Sequence, residues 1–494
     1  MNELNELNEF KKLYNWLCSW RQPNGYGGYL HHAIHGTVNW EYAQLVPSYT
    51  YEPLINGFLN LYANTSNPAW LSKAEQAAND LFAILDPTYQ FKFSGFEFAP
   101  KSGSIVHTIN PLFAFMRIYQ ITKNHKYIDI CRKVLESVVC TYWRGDHFSG
   151  PFNMTLTASA AMAEYGMLTG DWRLHNLYGK HTFQLVKQHK CQKGIASGLY
   201  YRNINDHSIV FPWYNSVKAN AMIRYGRALE DVSWIDEGIR LLRTVHNFFL
   251  NDYSLVHSIQ NEEILSCPLL IAPAAYCLSL MQQNQLLTEE EIVKAITALC
   301  SKQTDIGFFP SNSGYDWRSK VGVTAWNAFV FELLSQNYIL YDDSFTAVGE
   351  YYFSEGMVSG YENDNLFELS LQNQPFCRID KKSGQITKFP LNSWDFSIPS
   401  KYVSKAPHMV KYNMQRHSTV SYIDNNGNGV WLEKYAGNIN VWSPYSIFNI
   451  TDNNSLQYKG AQRYDKFSKI IYSILHPILY VPSACNIITK LLNH

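Results

Sequence analysis

Apolar positions in the first two thirds of the chain fall into stretches of two alternating kinds. One kind is apolar nearly all round, as in Thr157 to Leu168, and predicts a helix buried on every side. The other carries one apolar stripe. Ile235, Ile239, Leu242 and Val245 recur at helical spacing and predict a helix with a solvated back. The two kinds come in pairs. Leu59-Asn60-Leu61-Tyr62, Ala114 to Tyr119, Ala161 to Tyr165 and Ala221 to Tyr225 each end a first helix. A short polar turn follows, then an aromatic residue that opens the second helix, so the chain repeats a two-helix unit. Asn67-Pro68 and Gly170-Asp171 suit a helix stop followed by an N-cap.

Read outward from these turns, the pattern predicts about twelve helices: 4–20, 50–64, 68–85, 107–122, 124–141, 155–168, 171–189, 215–229, 232–250, 267–283, 288–303 and 324–338. The turn inside each pair is tiny. The loops between pairs, 21–49, 86–106, 190–214 and 304–323, are long, and loops of that length in a compact domain are usually functional. Helical hairpins with short turns at one end and long loops at the other describe a mainly α protein, an (α/α)6 barrel over 1–345, with a cleft where the long loops converge.

After 345 the pattern changes to period two. Leu366 to Leu371 alternates apolar and polar residues, and Cys377 to Phe389 reads as strand, turn, strand. Ser418 to Ile423 and Val430 to Tyr435 flank Asn425-Asn426-Gly427-Asn428-Gly429, a hairpin signal. A small β-rich C-terminal region is expected at 346–455, and an apolar tail at 456–494. Ile470 to Ile488 holds no Asp, Glu, Lys or Arg, but Pro477 and Pro482 make it a poor spanning helix. Packing against the rest of the chain and peripheral membrane contact through 467–492 are its two main readings.

Composition narrows the function classes. Lys+Arg and Asp+Glu are both 41, and this zero net charge argues against nucleic acid as a partner. The nine Cys are widely spaced without a CxxC, which suggests reduced thiols rather than a disulfide framework or a zinc site. The acidic, polar start Met1 to Leu7 is unlike a signal peptide, so a cytoplasmic location is expected, with the inner membrane surface as the place for any tail contact. No Walker A, GxGxxG or GxSxG motif occurs, and no cofactor or metal is expected. His31 and His35 are four apart and would share a helix face, but no further ligand spacing accompanies them. Aromatic residues make up 15% of the chain, enough to line a cleft with flat faces for a sugar or a hydrocarbon.

Several segments resemble six-hairpin glycosidase-like proteins: Gly27-Gly28-Tyr29, Trp40-Glu41, Pro47 to Gly57, His107-Thr108-Ile109-Asn110 and Phe152-Asn153-Met154. Phe211-Pro212-Trp213-Tyr214-Asn215-Ser216 is similar to a segment of uronyl C5-epimerases and related barrels. The resemblance covers about 20–340 and implies an (α/α)6 barrel and a carbohydrate-active tendency of the glycoside hydrolase, polysaccharide lyase or sugar epimerase type, not one reaction.

Four clusters could carry chemistry. Trp40, Glu41 and Glu52 accompany the early loop. Glu97, between two Phe, is a candidate general acid, with His107 as a base and Asn110 beside it. Asn153, Tyr201, Arg202, Trp213, Asn215 and Lys218 are candidate substrate contacts; Arg or Lys could neutralise a uronate carboxylate while Tyr214 moves a proton. Asp316 is a further candidate carboxylate, among Trp317, Arg318, Trp326 and Asn327. For each cluster a structural role, as cap, loop brace or core partner, stands beside the functional one. The leading expectation is an enzyme acting on an oligosaccharide or uronate-containing glycan by hydrolysis or proton abstraction. An isoprenoid or lipid cyclase and a non-catalytic glycan-binding module are the alternatives, and the oligomeric state stays open.

Overall fold

The computed structural model describes residues 5–344, except 20, 23–24, 27–28, 33–39, 44–47, 92–104, 208, 261–262, 265–268, 305–306 and 312–323, together with the backbone of strands between 350 and 458. The helices are α1 Asn8–Ser19, α2 Tyr51–Thr65, α3 Pro68–Ala83, α4 Ile105–Thr122, α5 His125–Tyr142, α6 Phe152–Thr169, α7 Lys180–Lys187, α8 Pro212–Leu229, α9 Val232–His246, α10 Ala274–Gln283, α11 Glu289–Cys300 and α12 Thr324–Asn337. The even-numbered helices form a closed ring: α2 packs on α4, then α6, α8, α10 and α12 follow in order, and α12 returns to α2. Each odd-numbered helix lies against its hairpin partner, and α1 takes the place beside α12. The Phe10 and Phe331 rings, 5.5 Å apart, are part of that closure.

One turn chemistry recurs between inner and outer helices. Thr65 Oγ1 donates back to the Leu61 carbonyl (2.7 Å) and accepts from the Asn67 amide (3.2 Å), while Asn67 Oδ1 accepts from Ala69 N–H (3.0 Å). Thr122 and Asn124 do the same at the next hairpin, and Thr169 and Asp171 at the one after. The residue between them, Ser66, Lys123 or Gly170, is left-handed, with φ of 57°, 57° and 77°. A threonine satisfies the end of one helix, a left-handed residue reverses the chain, and an Asx side chain starts the next.

The inner ring is packed closely enough to need glycine. A Cβ on Gly57 of α2 would collide with the Phe331 ring of α12. Several expected helices are shorter than the periodicity predicts, and two of them differ most. The 267–283 helix starts only at Ala274, because Leu270 exchanges backbone hydrogen bonds with Leu255 (2.8 and 2.9 Å) and Pro273 precedes the first turn. The 171–189 helix starts at Arg173 and passes through a π-helical turn, His175–Gly179, before α7. His31 lies in the strand Tyr29–His32, so the helical i, i+4 relation expected with His35 does not hold; His35 lies outside the described residues.

Beyond residue 349 the described strands form two antiparallel meanders. One has five strands between Glu350 and Lys388, the other six between Val410 and Tyr458. The hairpin flanking Asn425 to Asn428 pairs Ile423 with Gly429 and His417 with Tyr435. The apolar segment 470–488 lies outside the described residues. Among those described, no helix is long and apolar enough to cross a membrane.

Candidate functional site

Every inner helix starts at the long-loop end of the ring, so the first turns of six helices face one another there. Between them lies a cleft of about 360 Å³, lined by residues from the heads of the inner helices and the loops beside them. His107 and Asn110 come from α4, Asn153 and Met154 from α6, Trp213, Tyr214 and Val217 from α8, Tyr276 from α10, and Trp326 and Phe329 from α12. Tyr49, Phe211, His257 and Ser311 join them from the loops.

An aromatic collar surrounds this cleft. Trp213 meets Trp326 edge to face, with centroids 5.2 Å apart and planes at 86°. Tyr49 lies 6.0 Å from Trp326 and 5.1 Å from His107, and Phe211 lies 4.8 Å from Tyr214. Four buried polar atoms in this lining, Asn110 Oδ1, Asn153 Oδ1, Trp213 Nε1 and Ser311 Oγ, have no hydrogen-bond partner among the described residues. An unsatisfied buried donor or acceptor costs roughly 1–3 kcal/mol, so such a group gains when a ligand or water completes it.

Proline shapes the α4 side of the cleft. Pro111 sits inside α4 and has no N–H to donate to the carbonyl of His107. The Ser48 hydroxyl, from the loop before α2, donates to that carbonyl instead. Burial lowers the His107 imidazole to about 3, so it is neutral at physiological pH. His257 is also lowered by burial.

Beneath the cleft the inner helices hold an ionic layer in the barrel interior. Glu52 on α2 accepts from Asn110 Nδ2 at 2.9 Å, and its other oxygen is 3.7 Å from Arg224 Nη2 on α8. The same guanidinium donates to Glu164 on α6 at 2.9 Å and lies over the Phe113 ring at 4.1 Å. Arg117 on α4 donates to Asn56 Oδ1 (3.1 Å) and Asn60 Oδ1 (2.7 Å). Burial raises Glu52 to about 7, against the opposing pull of Arg224 and the Asn110 hydrogen bond. Burial and then the Glu52 charge raise Glu332 of α12 to about 8.

The candidates read from the sequence therefore separate into groups. His107, Asn110, Asn153, Trp213, Tyr214 and Trp326 come together around the cleft. Glu52 lies directly below it, joined through Asn110. Asn215, Lys218 and Asn327 do not line it. Asn215 brackets the Tyr200 peptide, accepting from its N–H at 2.7 Å and donating to its carbonyl at 3.2 Å. Asn327 does the same to Phe309, at 2.7 and 3.0 Å. The buried Lys218 amine donates to the carbonyls of Tyr200 and Tyr201 at 2.9 and 2.8 Å, and burial lowers it to about 7. It is turned into the loop rather than toward a substrate.

Tyr201 stacks on His207 (4.3 Å, 15°), and Arg202 sits beside Phe211 with Asp206 3.5 Å from its Nη1. Trp40 and Glu41 fall in the strand Trp40–Ala43, whose side chains are outside the described set. Glu97, Asp316, Trp317 and Arg318 lie outside the described residues. Sequence reasoning missed His257, Tyr276 and Ser311 of the lining, and Arg117, Glu164, Arg224 and Glu332 below it. The signal for three of the ionic residues was present: Arg117, Glu164 and Arg224 stand at one repeat position, three after Ala114, Ala161 and Ala221, in helices otherwise apolar.

The closed ring of inner helices, with one outer helix per hairpin, decides the architecture. This is a six-hairpin (α/α)6 barrel. In three dimensions it is similar to a glycosyl hydrolase of family 88 from Bacteroides vulgatus (11% identity over 60% of this chain and 92% of that one, TM-score 0.43). It is also similar to the cellobiose 2-epimerase of Bacillus thermoamylovorans (12%, 67% and 98%, TM-score 0.45) and to an unsaturated glucuronyl hydrolase specific for heparin (10%, 67% and 95%, TM-score 0.48). The sequence matches no protein-family model and no curated protein. The barrel's chemistry is therefore read from its own side chains.

Proposed function

We propose that this barrel is a carbohydrate-active enzyme that takes a saccharide in the cleft at the head of its inner helices. The observation carrying this reading is the combination of the collar with the four unpartnered polar atoms among its rings. A sugar ring has apolar faces that stack on Trp and Tyr and hydroxyls around its edge that donate and accept. Asn110 Oδ1 and Asn153 Oδ1 would accept, Trp213 Nε1 would donate, and Ser311 Oγ could do either. An isoprenoid or lipid would suit the rings but would leave these atoms unsatisfied, at roughly 1–3 kcal/mol each.

The reaction would be hydrolysis or proton abstraction. Tyr214 and neutral His107 line the cleft, where Tyr214 would move the proton and His107 would serve as a hydrogen-bonding group. Glu97 and Asp316, on the long loops, are the carboxylates proposed to complete the constellation.

The test is calorimetric titration of the purified protein with a panel of neutral and acidic mono- and oligosaccharides, with product analysis by NMR. Binding should weaken about tenfold or more in Trp213→Ala and Trp326→Ala. A Tyr214→Phe variant should bind but turn over more slowly. Absence of binding to every saccharide, or unchanged affinity in both Trp variants, refutes the proposal. Binding without turnover by the unmodified protein would leave a glycan-binding module.

A further inference from the structure

The cleft and the ionic layer meet at one side chain. Asn110 is the described lining residue that also hydrogen bonds to the layer, through Nδ2 to Glu52. An ionised carboxylate only accepts hydrogen bonds, so the amide must turn its NH2 toward Glu52. That leaves Oδ1, buried and without a partner, as the atom Asn110 offers the cleft. A carbonyl oxygen there can be satisfied only by a donor.

The charges around it point the same way. Glu52, directly behind Asn110, is ionised at pH 8, above the value of about 7 to which burial raises it, while burial keeps Glu332 partly protonated there. Among the described residues no Lys or Arg lines the cleft. Arg224 is held by Glu164 and Glu52, Lys218 by two carbonyls, and Arg202 lies 3.5 Å from Asp206 through Nη1, with its Nε left without a partner among the same residues. A ligand carboxylate brought against Asn110 would face an acceptor with the Glu52 carboxylate behind it.

We propose that Glu52 and Asn110 form a specificity pair, in which Glu52 fixes the Asn110 amide with its carbonyl oxygen toward the cleft, so that the floor selects a hydroxyl of a neutral saccharide over the carboxylate of a uronate. Glu52 is here a positioning residue that acts through Asn110. The inference rests on the saccharide reading of the cleft and narrows it to neutral sugars.

The experiment uses matched methyl glycosides at pH 8: glucoside with glucuronide, galactoside with galacturonide, and mannoside with mannuronide. Each is titrated into the full-length protein by calorimetry. The neutral member of the best-binding pair should bind at least tenfold more tightly. Glu52→Gln presents either an acceptor or a donor to Asn110 and frees the amide to turn over, so the neutral-to-uronate ratio should fall at least threefold. Asn110→Ala removes the acceptor and should collapse the ratio toward one, chiefly by weakening the neutral ligand. Circular dichroism melts of both variants establish which are folded, and either folded variant suffices. A uronate bound as well as or better than its neutral partner by the unmodified protein overturns the inference and leaves the saccharide reading standing. An unchanged ratio in a folded variant does the same. No binding by any pair overturns the inference, and the saccharide reading falls with it only if the oligosaccharides of the panel also fail to bind.

Discussion

Replacing Arg224 by Met removes the cation that ties α8 to α2 and α6, and its cost follows from the geometry. The guanidinium lies 2.9 Å from Glu164 and 3.7 Å from Glu52. At an effective dielectric of about 20, those contacts correspond to gross attractions of roughly 4–6 kcal/mol each. Much of this offsets the cost of desolvating the ions, and breaking a buried pair by removing one partner typically costs about 3–5 kcal/mol net. The Arg224 side chain keeps 25% of its surface accessible, so water screens part of the interaction, and a loss of about 3 kcal/mol is expected at pH 8.

The loss must depend on pH. Glu52 has a folded pKa raised above its unfolded value, so its contribution to stability is fully present below about 4.3 and is lost as pH rises through about 7. Arg224 opposes that rise, so without it Glu52 moves further up and the penalty at pH 8 grows. At pH 5 a protonated Glu52 needs no counter-cation, and the destabilisation should shrink to about half or less. Urea denaturation followed by far-ultraviolet circular dichroism at the two pH values measures both numbers. A loss below about 1 kcal/mol at pH 8, or one larger at pH 5 than at pH 8, would refute the reasoning.

Gly57→Ala should destabilise by about 1–3 kcal/mol, because its Cβ would press into the Phe331 ring, and Phe331→Leu in the same chain should recover part of that loss in a thermal melt. Asn215→Ala should cost about 2–3 kcal/mol by leaving the Tyr200 peptide unsatisfied, with faster amide exchange at Tyr200 as the local signature. Discrimination between neutral and uronate ligands should fall as pH drops from 8 to 5, since a protonated Glu52 can donate to Asn110. The groups that set this transition are Asn110 and Arg117 on α4, Glu164, Arg224, Tyr276 and Glu332, and calorimetry across the range should place its midpoint near 7, the value to which burial raises Glu52. A flat ratio would contradict it.

The hairpins were legible in the sequence because their causes are local. Thr65-Ser66-Asn67, Thr122-Lys123-Asn124 and Thr169-Gly170-Asp171 each contain the whole chemistry of a helix stop and restart within a few residues. Apolar periodicity likewise separates a helix buried all round from one with a wet face, without reference to the rest of the chain. From those two signals the barrel, the end bearing the long loops and half a dozen cleft residues could be named.

What the residues then do was decided by neighbours distant in sequence. Nothing near Lys218 says that its amine turns back onto Tyr200 and Tyr201, because that depends on how the 190–211 loop lies over α8. Glu52 acquires its raised pKa from burial by the ring as a whole, and its partners Asn110, Glu164 and Arg224 come from three other helices. The pairing of α1 with α12 joins the two ends of the barrel segment. Local sequence determines which elements form and which face is buried. Electrostatics and hydrogen bonding in a low-dielectric interior depend on what closes over each group, and only the assembled ring supplies that.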